Sequence, residues 1–170
     1  MPVRIRAEGR SRAAQTGKRL VQRYAASMLR ALRLESQELS ILLCDDAVMR
    51  KLNRDYRKID RPTDVLAFAM REEVASAQFV TSRGDLLGDV AISWPTATRQ
   101  ARERGWAPER EVCMLLAHGL LHVLGFDHAT RGEDRRMRAR TDLLMMAALG
   151  TSRAVDKSGG RRASPTVDHC

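Results

Sequence analysis

The sequence predicts an α+β fold in a single domain, with four strands and about five helices. Three observations carry this reading. Strand-length apolar runs stand between clusters of turn residues, amphipathic runs of helical period fill the intervals between them, and 170 residues are enough for one core without metals or disulfides as staples. The longest unbroken apolar stretch, Leu143 to Leu149, is far below the roughly 20 residues of a membrane-spanning helix, so no membrane partner is expected.

Taken in order, Val3, Ile5 and Ala7 alternate with Arg4 and Arg6, as a half-buried strand requires. A helix is predicted from about Ala14 to Leu34, with Leu20, Val21, Tyr24, Met28 and Leu32 on one side and Arg19, Arg23, Arg30 and Arg33 on the other. That arginine stripe is either a solvated face or a nucleic-acid contact. Glu38 to Cys44 is a compact strand. Asp45 or Asp46 then suits the N-cap of a helix carrying Val48, Met49 and Leu52. Asn53 to Arg61 reads as a basic, polar connection ending at Pro62, and Thr63 to Phe68 as the third strand. Met70 to Asp85 reads as a loop and Leu86 to Ser93 as the fourth strand, after which Pro95 fits the first turn of a helix to about Arg104.

Pro108 opens the most apolar helix of the chain. Val112, Cys113, Leu115, Leu116, Ala117, Leu120, Leu121 and Val123 leave it almost no polar face, so it is buried. A last helix runs from Glu133 to Leu149, with Gly150 as its C-cap. Residues 151–170, rich in Ser, Gly, Arg and Pro, read as a disordered basic tail, leaving 1–150 as the domain. Cys44, Cys113 and Cys170 are widely spaced, odd in number and without a C-x-x-C pair, which fits free thiols in a reducing compartment.

The net charge of +9 favours an anionic partner, yet it is unevenly spread. Residues 1–33 hold nine basic side chains and one acidic, whereas residues 34–150 hold 17 and 18. Charge therefore points to the first helix and the tail as docking surfaces.

Chemistry concentrates in His118-Gly-Leu-Leu-His122-Val-Leu-Gly125-Phe-Asp127-His128. Positions i and i+4 share a helix face, so His118 and His122 project together, and Gly125 can stop the helix and turn the chain so that His128 returns to the same point. Three imidazoles leave the fourth tetrahedral position of a zinc ion open, as in catalytic rather than structural sites. The metal site is expected at the end of the buried helix. The same spacing occurs in metzincin-type zinc peptidases, but those carry a glutamate general base after the first histidine, and Gly119 stands there in this chain. Phosphodiester hydrolysis needs instead a metal that lowers the pKa of water to roughly 7 and cations that stabilise transition-state charge. Arg57 is the candidate to meet a phosphate, with Lys58 and Arg61 guiding the strand. Asp127 is a candidate carboxylate behind a ligand, a general base, or a solvated helix-end residue.

The stretch Leu52 to Phe68 (LNRDYRKIDRPTDVLAF), followed by Leu87 to Ser93 (LGDVAIS) and then His118 to His128, closely resembles the YbeY family of bacterial endoribonucleases and rRNA maturation factors. The likeness runs from about Val3 to Gly150. It implies a mixed four-stranded sheet, one zinc on His118, His122 and His128, and a catalytic arginine at Arg57. It further implies cleavage of single-stranded RNA in the cytoplasm, maturation of the 16S rRNA 3′ end with the ribosome or small-subunit proteins as partners, and ribosome quality control. This chain differs from the family's usual pattern in having Ala67-Phe68-Ala69 where Ser-Phe-Pro is common and Phe126 where Tyr is common. Two other readings share the ligands: a metalloprotease, and a non-catalytic ribosome assembly factor with structural zinc.

Overall fold

A computed structural model describes residues 3–70 and 86–150. The elements are β1 (Val3–Glu8), α1 (Arg12–Thr16), α2 (Lys18–Ala31), β2 (Glu38–Cys44), α3 (Asp46–Arg57), β3 (Val65–Ala69), β4 (Leu86–Ser93), α4 (Trp94–Arg104), α5 (Pro108–Val123) and α6 (Arg131–Leu149). The four strands form one mixed sheet in the order β1-β2-β4-β3, parallel except for β3, which runs antiparallel to β4.

Strand alternation divides the core between the two faces of the sheet. Leu39, Ile41 and Leu43 of β2, Val90 and Ile92 of β4, and Val65 and Ala67 of β3 face the main core, built with α2, α5 and α6. Leu42, Cys44, Ala91, Leu66 and Phe68 face the other side, where α3 supplies Val48, Met49 and Leu52. Helix α5 thus lies on one face of β3 and α3 on the opposite face. Asp46 ties α3 to α4 by accepting hydrogen bonds from Ser93 Oγ at 2.7 Å, Thr96 Oγ1 at 2.6 Å and an Arg99 guanidinium N–H at 2.9 Å.

Several boundaries differ from expectation, each for a local reason. The first predicted helix is two, divided at Gly17, where a β-carbon would stand 2.4 Å from the Trp94 ring. The helix count among the described residues is therefore six. Helix α2 ends at Ala31, and Arg33 lies beyond it in the left-handed region at φ 57°, so it does not belong to the helical arginine stripe. Leu34 N–H closes that end on Leu29 O at 2.8 Å and Arg33 N–H on Arg30 O at 3.0 Å, the double bond of a Schellman cap. Asn53 to Arg57 is helical rather than part of a connection. Asp45, not Asp46, caps α3 by accepting from Val48 N–H at 3.0 Å, and Lys58 at φ 61° ends it. Strand β3 begins at Val65 because the Asp64 carboxylate accepts the Val65 N–H at 2.7 Å. Helix α6 starts at Arg131, set by a capping box between Thr130 and Glu133. The tail at 151–170, Cys170 and the excursion at 71–85 lie outside the described residues.

Candidate metal centre

Helix α5 delivers two of the three histidines. His118 and His122 are one turn apart, and their Nε2 atoms stand 3.0 Å from each other with the rings edge to face. The helix stops as its sequence demands. Gly125 takes φ +92°, its N–H bonds His122 O at 3.0 Å, and Phe126 N–H bonds Leu121 O at 3.0 Å. This second Schellman cap turns the chain back, so that His128 comes to ring-centroid distances of 5.3 Å from His122 and 5.9 Å from His118.

One ligand atom from each of the three lies within 4.8 Å of the other two, and no fourth His, Cys, Asp or Glu joins the group among the described residues. Tetrahedral geometry with metal–nitrogen bonds of about 2.0–2.1 Å separates two ligand nitrogens by roughly 3.3 Å. The 3.0 Å pair is within a few tenths of an ångström of that spacing. An all-imidazole donor set suits a transition-metal ion rather than magnesium or calcium, which prefer oxygen. The group fits a single ion with room for a non-protein ligand.

Gly119 has a steric reason to be glycine. A β-carbon on it would stand 2.7 Å from Val90 Cγ1 and 3.2 Å from Val65 Cγ2, so the position after the first histidine faces the sheet. A glutamate there could not reach the centre. Asp127 behaves as a turn residue: its Oδ1 accepts His128 N–H at 2.7 Å and stands 3.9 Å from His128 Nδ1, beyond hydrogen-bond reach, and its side chain is 69% exposed.

The cations sit on α3 and the segment after it. Arg50 grips Asp60 through two bonds of 2.9 and 3.1 Å, and Arg54 lies 3.6 Å from Asp55 and 4.0 Å from Asp60. Arg57, at the end of α3, differs from both. It is half-buried, and its Nε is buried without a hydrogen-bond partner among the described residues. Lys58 donates to Asp55 O at 3.2 Å, and Arg61 is exposed while its carbonyl accepts from buried Asn53 Nδ2 at 2.9 Å. Arg19, Arg23, Arg30 and Arg33 are all exposed and enter no ion pair among the described residues.

A buried polar group that periodicity does not single out lies beside these elements. Glu111 is fully buried on α5, two turns before His118 and on the same stripe, with Arg104 at 3.7 Å. Asp64 is also buried and accepts from Gln100 Nε2 at 3.1 Å. The available signal was its spacing, seven residues before His118 and so on the same stripe of the helix, although Glu109 and Arg110 beside it read as an ordinary polar first turn.

An α+β domain whose buried helix and following turn converge three imidazoles belongs to the class of domains that can hold one metal ion at an open site. The model of the Endoribonuclease YbeY family matches residues 4–148, and the chain belongs to that family. Among its relatives, the Endoribonuclease YbeY of Aquifex aeolicus is 46% identical over 116 residues, covering 68% of this chain and 73% of that protein. That of Roseiflexus castenholzii is 43% identical over 137 residues, covering 79% and 84%. The solution structure of TM1509 from Thermotoga maritima shares the fold, with a TM-score of 0.60 at 22% identity over 94% of this chain and 99% of that one. No helix among the described residues is long and apolar enough to cross a membrane.

Proposed function

We propose that this chain is a zinc-dependent endoribonuclease that cuts single-stranded RNA, with one zinc held by His118, His122 and His128. The observation that carries this reading is the convergence of the three imidazoles at the end of α5, in a chain whose relatives are named endoribonucleases. A bound zinc would supply water of lowered pKa and polarise a phosphoryl oxygen. Arg57 stabilises the charge that develops on the phosphate. Its buried, unpartnered Nε favours this role, because a preorganised donor in a desolvated place is strongest where a new acceptor arrives. Lys58 and Arg61 extend the same cationic segment along the strand, and the exposed arginines of α2 add a sequence-independent attraction. Asp127 holds the turn that presents His128.

The substrate we infer is precursor 16S rRNA at its 3′ end, with the ribosome or its small-subunit proteins as partners and ribosome quality control as the wider role. The compartment we infer is the cytoplasm. Cys44 and Cys113 are free and buried, and burial pushes both thiols up to about 12, which keeps them inert where disulfides do not form. Peptide hydrolysis is disfavoured because position 119 faces the sheet.

The test measures zinc stoichiometry and cleavage of a single-stranded RNA for wild type, His122→Ala and Arg57→Ala. The wild type should bind one zinc and cleave, and His122→Ala should lose both. Arg57→Ala should keep fold and zinc but lose about 10²–10³ in kcat, the size typical of a lost transition-state donor. Unchanged rRNA maturation by Arg57→Ala would favour the non-catalytic assembly factor instead.

A further inference from the structure

We propose that Arg140, stacked on Phe126, is a positioning residue that grips a backbone phosphate of the RNA strand lying across the histidine centre. The proposal rests on the reading of the chain as an RNA-cleaving enzyme. Phe126 lies between two of the three ligands in the chain, four residues after His122 and two before His128, and its backbone is fixed by the bond to Leu121 O. The Arg140 guanidinium carbon stands 4.5 Å from the centre of its ring.

Arg140 reaches this place because of its position on α6. It lies three residues after Met137 and four before Leu144, both buried, so it borders the stripe that packs into the core. Yet it is itself exposed. This cation–π contact holds the guanidinium beside the ring through its charge and leaves its five N–H donors uncommitted. No hydrogen bond or ion pair uses them among the described residues. Arg138, by contrast, is tied to Asp134 at 2.6 Å. A guanidinium biased toward an aromatic ring, with its donors uncommitted, can meet two phosphate oxygens at once. Because the ring that holds it belongs to the ligand-bearing turn, a phosphate bound there sets the strand's register against the histidines.

The test uses the full, zinc-loaded chain with Arg140→Ala, Arg140→Lys and Arg138→Ala. It reads kcat and KM on a single-stranded RNA, zinc content, and affinity for a fluorescent oligoribonucleotide carrying 2′-O-methyl riboses, across a salt series. Arg140→Ala should weaken affinity and raise KM about three- to tenfold, and should lower the slope of log affinity against log salt by about 0.7, the loss of one single-strand phosphate contact. The fall should lie in KM far more than in kcat. Arg140→Lys should keep the slope and recover only part of the affinity, since an ammonium lacks the two-pronged fork that meets a phosphate. Arg138→Ala should stay within twofold of wild type. If Arg140→Ala binds and cleaves like wild type, or loses zinc and kcat with affinity unchanged, the proposal is overturned while RNA cleavage stands. A wild type that neither binds nor cleaves RNA overturns the underlying reading and this one with it.

Discussion

Gly119 lies against Val90 where α5 crosses the sheet, so closely that a β-carbon added to it would stand 2.7 Å from Val90 Cγ1. This contact sets how near the two ligand-bearing turns of α5 come to β3 and β4. Val90 is fully buried.

Gly119→Ala is therefore expected to destabilise. Overpacking a buried contact costs about 1–3 kcal/mol, and the helix-propensity gain of about 1 kcal/mol offsets only part of it. Urea denaturation should show a lower midpoint with an unchanged slope. Gly119→Glu should fold still less well and should gain no peptidase activity; a folded Gly119→Glu protein that cleaves casein would contradict the placement of this residue.

Asp45 links two loops. Its carboxylate accepts Val48 N–H at 3.0 Å and Arg10 N–H at 2.7 Å, and these bonds, Val48 first, hold it below its ordinary value of 3.8. A depressed folded-state pKa adds stability that is present above 3.8 and is lost as the pH falls through the lower folded value. Asp45→Ala should cost about 1–2 kcal/mol at neutral pH, as for other N-caps. Its deficit against wild type should shrink on acidification, and an acid titration showing a constant deficit would count against this role.

Glu111 carries the opposite sign. Burial pushes its carboxyl above its ordinary value of 4.5, and Arg104 only partly opposes this. Its contribution is fully present below 4.5 and is lost as the pH rises through the raised folded value, leaving a buried carboxylate whose oxygens accept no hydrogen bond among the described residues. Glu111→Gln should flatten the stability profile above 4.5 and match or exceed wild type at pH 8. Chemical denaturation at pH 5 and pH 8 checks this. Equal losses at both would show that Glu111 serves packing alone.

The strands were legible because alternation reports one buried face at a time: β4 was read to the residue and β2 likewise. The histidine group was legible because i, i+4 spacing and a terminal glycine fix its geometry locally. What sequence could not supply were the contacts made at a distance. Gly17 divides a continuous amphipathic pattern, and what demands glycine there is Trp94, 77 positions later. Arg33 fits the helical stripe by period but sits past the cap. Helix α3 runs on to Arg57, with Asn53 buried and bonded to Arg61 O and the left-handed Lys58 ending it, through a stretch that composition alone reads as a basic loop. The pairing of Arg140 with Phe126 likewise depends on how α6 packs beside the end of α5.

The proposed function makes RNA cleavage depend on an ion held by the three imidazoles at the end of α5. Its most direct test strips the protein with a chelator, returns zinc in measured equivalents, and follows cleavage of a single-stranded RNA beside bound zinc. Activity should be absent in the stripped protein, rise in proportion to zinc, reach a plateau at one equivalent, and never appear with His122→Ala. Cleavage at the wild-type rate by the stripped protein, or by His122→Ala, would contradict the claim.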